Sequence, residues 1–125
     1  LREYSKIFYG LSGSANSRGI NFNLNRLKFC EWYHSQPKVC SYCDITLEEM
    51  MIIDTIHKRF SIDRMDNNRG YEINNICLSC QSCNAIKNDV FTYEEMKEIG
   101  KKYMSKKRKD SIEIVKNVEH IRESS

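Results

Sequence analysis

The sequence predicts a small α+β domain stapled by zinc, in which a strand, turn, strand, knuckle and helix form one unit with helices on either side. Three observations carry this. Two Cys-x-x-Cys pairs, Cys40-Ser-Tyr-Cys43 and Cys80-Gln-Ser-Cys83, have the spacing at which a tight knuckle offers two thiolates to one tetrahedral ion. The gap between them, Asp44 to Ser79, is longer than a zinc ribbon needs and must hold structure of its own. Inside that gap the apolar pattern alternates and is punctuated by turn residues, whereas outside it the spacing is helical.

The elements follow in order. Apolar residues at 1, 4, 8, 11 and 15 make one helical stripe from Leu1 to about Ala15, broken by Gly19 and the Asn-rich stretch to Asn25. Leu24, Leu27, Phe29, Trp32 and Tyr33 mark a second helix that stops before Pro37. After the first knuckle, Thr46-Leu-Glu-Glu49 is a capping box for a short helix through Met50 to Ile53. A strand is predicted between Ile56 and Met65, with Phe60 and Ile62 on one face. Asp66-Asn-Asn-Arg-Gly70 supplies the turn and Ile76 to Leu78 the second strand. The second knuckle opens a helix from about Asn84, and a second capping box, Thr92-Tyr-Glu-Glu95, starts one that runs to about Met104. Finally Ile112, Val115, Val118 and Ile121, after Asp110 or Ser111 as N-cap, give a narrow apolar stripe that needs a covering surface from the chain or from a second subunit. The expected organisation is one domain: N-terminal helices over 1–37, a zinc-bound core over 38–104, and a basic segment with an amphipathic helix over 105–125.

Composition narrows the function classes. With 125 residues and a net charge of +3 the chain has room for one domain, and its longest apolar run, Met50 to Ile53, cannot span a bilayer. No signal segment is read at Leu1-Arg2-Glu3, so an intracellular setting is expected: cytoplasm, nucleoid or a phage-infected cell. Positive charge is concentrated in residues 91–109, with 7 basic against 3 acidic groups. Lys101, Lys102, Lys106, Lys107, Arg108 and Lys109 therefore read either as DNA phosphate contacts or as a solvated helix end. Six cysteines with two knuckles and no βαβ pattern favour structural Zn²⁺ at Cys40, Cys43, Cys80 and Cys83 over a redox pair. Cys77/Cys80 is a competing pairing, and Cys30 belongs to an apolar helical stretch and reads as core.

The chemistry is concentrated in Phe60 to Lys87. Asp63 at the end of one strand and Asn84 at a helix start beside a zinc cysteine are oxygen ligands suited to one hard cation. An ion so held keeps most of its octahedron for water and phosphate, as Mg²⁺ does. From about Phe29 to Met104 the residues Asp63-Arg64, Gly70-Tyr71, Asn75 and Cys80-x-x-Cys83-Asn84 resemble the HNH, or ββα-metal (His-Me finger), nucleases, and within them a rare-cutting restriction enzyme. The resemblance implies a DNA endonuclease with Asp63 and Asn84 on Mg²⁺ and Asn75 as an orienting residue. It puts Arg64 where the family usually has its histidine base, with Tyr71 as the replacement base. Such restriction enzymes carry another cysteine cluster before this unit, whereas Leu1 to Lys28 has no Cys, so the recognition apparatus must differ. Restriction and homing roles both fit.

A tyrosine in water, with pKa about 10, is ionised at about one part in a thousand at pH 7, so a tyrosine base needs a nearby cation; Arg64 and the metal are the candidates. Tyr71 as a packed ring, Arg64 as an ion-pair partner of Asp66, and His57 as base or as a structural strand residue are the rival readings. The rival function is a non-catalytic zinc-dependent DNA-binding module. The expected partner is double-stranded DNA, with no membrane, and cutting both strands at a palindrome would take a homodimer.

Overall fold

The computed structural model describes residues Arg2–Ser124; Leu1 of the first stripe lies outside them. The elements are α1 (Arg2–Ser17), α2 (Arg26–Ser35), α3 (Leu47–Ile53), β1 (Ser61–Arg64), a 3₁₀ turn (Ile73–Asn75), β2 (Ile76–Ser79), α4 (Gln81–Lys87), α5 (Tyr93–Ile99), a π-helical turn (Gly100–Met104) and α6 (Ser105–Ser124). β1 and β2 form a two-stranded antiparallel sheet. The described residues divide into two compact units, one joining residues up to Pro37 with Ile62–Cys77, the other joining Lys38–Ser61 with residues from Leu78 on.

In the first unit α1 packs on α2. The amide oxygen of Asn25 caps α2 by accepting from the N–H groups of Leu27 and Lys28 at 3.0 and 3.2 Å. The core is aromatic, with Phe8, Phe29 and Tyr33 buried and the Phe8 ring 5.4 Å from Phe22 and 5.8 Å from Phe29. Asn21 to Asn23 runs beside Tyr71: the Tyr71 N–H donates to the Asn21 carbonyl and the Asn23 N–H to the Tyr71 carbonyl, both at 2.9 Å. Gly70 permits that approach, since a Cβ there would lie 2.3 Å from the Asn21 carbonyl oxygen.

In the second unit both capping boxes form. Thr46 and Glu49 close the start of α3, and Thr92 and Glu95 that of α5. Helix α3 packs against α6, with Tyr42, Met50, Met96 and Ile112 among the buried side chains. The predicted break after Met104 does not occur. Asp110 and Ser111 lie inside α6 rather than at an N-cap, because the π turn lets α5 continue into α6. Gly100 sits at that turn, where a Cβ would lie 2.2 Å from the Tyr42 carbonyl oxygen. Of the C-terminal stripe, Ile112 is buried, Val115 is half-buried, and Val118 and Ile121 are exposed.

Two further boundaries depart from expectation. β1 starts at Ser61 rather than near Ile56, because Asp54 instead folds residues 54–57 into a turn by accepting from the N–H groups of Ile56 and His57, both at 2.9 Å. His57 is therefore a turn residue and not a strand residue. α4 starts at Gln81, three residues earlier than predicted, because the Cys80 sulfur caps it by accepting from the Cys83 N–H at 3.5 Å.

Candidate metal centre and hydrolytic site

The two knuckles bring four sulfurs together. The Sγ atoms of Cys40, Cys43, Cys80 and Cys83 all lie within 4.8 Å of one another, and all four residues are buried. Cys43 and Cys80 are 3.8 Å apart, far beyond a disulfide bond. A Zn–S distance of about 2.3 Å gives a tetrahedron with edges of about 3.8 Å, so that spacing fits the ion. Asp44 closes the first knuckle at φ 65°, a left-handed conformation that Asp tolerates, and the Cys80 N–H donates to the Cys40 sulfur at 3.3 Å. Hydrogen bonding within the cluster splits the thiols. Donation from Cys43 draws Cys40 down to about 7 and donation from Cys40 draws Cys80 lower still; donating to Cys40 pushes Cys43 and Cys83 well up. Four buried sulfurs at this spacing suit a metal that binds them as thiolates. Cys77 is no part of the cluster; it and Cys30 are buried elsewhere.

The hairpin loop of the first unit is organised by an amide. Asn75, 1% exposed, accepts from the Asp66 N–H at 2.8 Å and donates to the carbonyls of Asp66 and Gly70 at 3.1 and 2.9 Å. Arg64 donates to the carbonyls of Asn67 and Arg69 at 3.0 and 2.9 Å, and its guanidinium lies 5.6 Å from the centre of the Tyr71 ring. The cation at the Tyr71 hydroxyl is a different one: Arg18 donates to it at 3.3 Å. Tyr71 is buried, its ring 6.0 Å from Phe22, and Asp63 is a buried carboxylate on β1.

No family model matches this chain, and no curated protein does. Among solved structures it is similar to the rare-cutting HNH restriction endonuclease PacI, which exhibits DNA perturbation. The TM-score is 0.71 at 29% sequence identity, over 79% of this chain and 74% of that one. The chain resembles an HNH nuclease. The likeness in structure accompanies the order Asp63, Gly70-Tyr71, Asn75, Cys80 and Cys83 along the HNH-like chain.

The remaining expected site residues separate by surroundings. Asn84 lies in the first turns of α4. The His57 ring is bonded through Nδ1 to the Asp54 carboxylate at 2.8 Å. Within the basic run, Lys101 pairs with Asp44 at 2.6 Å, Lys102 lies over the ring of Tyr103, and Arg108 donates to the Cys80 sulfur at 3.1 Å. Lys106, Lys107 and Lys109 are exposed on α6. Sequence reasoning missed Arg18, which is 53 residues from Tyr71 and carries no local signal, and the fully buried Lys87. No described helix is long and apolar enough to cross a membrane.

Proposed function

We propose that this chain is an HNH-type endonuclease that hydrolyses phosphodiester bonds of double-stranded DNA with a divalent cation, Mg²⁺ by preference. The observation that carries the reading is the likeness to PacI over 79% of the chain at 29% identity. The resemblance assigns Asp63 and Asn84 to the cation, which would supply Lewis acidity at the phosphate and the leaving oxygen. Tyr71 is the proposed base. It takes the proton of the attacking water at its phenolate oxygen, the atom to which Arg18 donates at 3.3 Å. Asn75 is the orienting residue, since it holds the loop that ends in Gly70-Tyr71. Arg64 would clamp phosphate only after leaving the two loop carbonyls it now binds. Lys106, Lys107 and Lys109 are the exposed cations for DNA phosphate, and zinc at the four cysteines replaces a larger core. Cutting both strands would take two copies, so the active form is proposed to be a homodimer.

The test is nicking of supercoiled plasmid with and without added Mg²⁺. The expected result is Mg²⁺-dependent nicking by the wild type and none by Asp63→Ala. Salt-sensitive DNA binding without nicking under any divalent cation would instead mark a zinc-dependent binding module.

A further inference from the structure

Arg108 belongs by sequence to the basic run, yet the helix geometry withdraws it from solvent. Met96, Gly100, Met104, Arg108 and Ile112 recur every four residues. In a regular α-helix a spacing of four drifts about 40° around the axis each time. The wider π turn at Gly100–Met104 offsets part of that drift and keeps the five on one face. Met96, Gly100 and Ile112 are buried on that face, and Met104 and Arg108 are half-buried. Lys106, Lys107 and Lys109 are exposed.

Among the described residues the guanidinium of Arg108 has one acceptor, the Cys80 sulfur at 3.1 Å, while its Nε is buried without a hydrogen-bond partner. No described carboxylate pairs with it. A desolvated cation is costly unless an anion faces it, and zinc bound to four thiolates is a buried dianion with the same need. Each is the compensation the other lacks. Lys101, tied to Asp44 and to the Ser41 carbonyl, holds the neighbouring π turn to the first knuckle.

We propose that Arg108 is the counter-cation of the tetrathiolate zinc centre, donating to the Cys80 sulfur and thereby slowing loss of the metal. This rests on the zinc reading above. An N–H donor on a thiolate draws off electron density, lowers its nucleophilicity and keeps it bound against competing ligands. The basic run then has two functions: one arginine for the metal, three exposed lysines for phosphate.

The experiment uses the full chain and begins with its zinc content. Folded wild type without zinc ends the zinc reading itself, whatever Arg108 does. With zinc present, release to a chromogenic chelator is timed at one fixed pH for wild type, Arg108→Met, Arg108→Lys and Lys107→Met, with helix content checked by circular dichroism. Arg108→Met should release zinc at least about tenfold faster, Arg108→Lys at an intermediate rate, and Lys107→Met at the wild-type rate. With Co²⁺ in place of zinc, the sulfur-to-metal charge-transfer band of Arg108→Met should move to lower energy, and that of Lys107→Met should not. Equal release rates for Arg108→Met and Lys107→Met would overturn the assignment. Should Arg108→Met fail to fold, Arg108→Lys decides, and a wild-type release rate there would overturn it too.

Discussion

The sulfur cluster of the second unit and the Asp66–Asn75 loop of the first solve one problem by different chemistry. Each holds irregular backbone in place around a buried polar centre. The cluster assembles four sulfurs that, once ionised, accept but cannot donate, so as thiolates they would need a cation among them. The loop is organised by Asn75, whose amide both donates and accepts, so its three hydrogen bonds close without an ion. On the zinc reading, one region is conditional on metal; the other is written into the covalent chain.

Removing the metal should give the largest effect, because it acts on the conditional region. Structural zinc contributes on the order of 10 kcal/mol, comparable to the whole stability of a typical small domain. Cys83→Ser, or chelation at neutral pH, is therefore expected to unfold the protein, read by circular dichroism alongside metal analysis. A metal-free chain that melts as the wild type does would break the contrast.

Asn75→Ala attacks the other region and should leave the zinc in place. It leaves one N–H and two carbonyls of a part-exposed loop without their partner, an expected loss of about 2 kcal/mol measurable by urea unfolding. Unchanged zinc content in that variant sharpens the comparison; loss of zinc would show that the two regions depend on each other.

What was legible follows from how local each device is. The capping boxes at Thr46 and Thr92, the turn chemistry of Asp66 to Gly70 and the two knuckles are complete within a few residues, and all formed. The missed features depend on distant partners. Arg108 resembles its lysine neighbours until Cys80 is placed beside it, and Arg18 is 53 residues from the hydroxyl it serves. The π turn that joins α5 to α6 sits where Gly100 meets Tyr42, a close approach between residues far apart in sequence. The early strand from Ile56 failed for a local reason: Asp54 captured the two N–H groups first.

Tyr71→Phe separates chemistry from architecture within the loop region. It removes only the hydroxyl that Arg18 reaches, so stability should fall by about 1 kcal/mol or less, while single-turnover cleavage should fall by at least about two decades. Near-wild-type cleavage would refute the tyrosine base and leave the nuclease reading standing. His57→Ala, by contrast, should keep most activity.

The smallest effect is expected at Asp54, a third way of holding a turn, by a single carboxylate at the surface. The N–H of His57, then that of Ile56, donate to it, and its pKa is lowered below the ordinary carboxylate value. A group titrating lower in the folded state than in the unfolded one binds fewer protons when folded. Its contribution is therefore present above about pH 4 and is lost as the pH falls through the folded value. Because water still reaches the carboxylate, screening keeps the contribution small. Asp54→Asn keeps an acceptor for the turn and removes the charge, so it should lower Tm by no more than about 2 °C at pH 7. That difference should vanish in acid, where the wild-type carboxyl is itself neutral. Melting curves of both proteins from pH 7 down to about pH 2.5 are the measurement, with the low end set below the ordinary carboxylate range. A Tm difference that persisted there would mean that the turn depends on the shape of the aspartate and not on its charge.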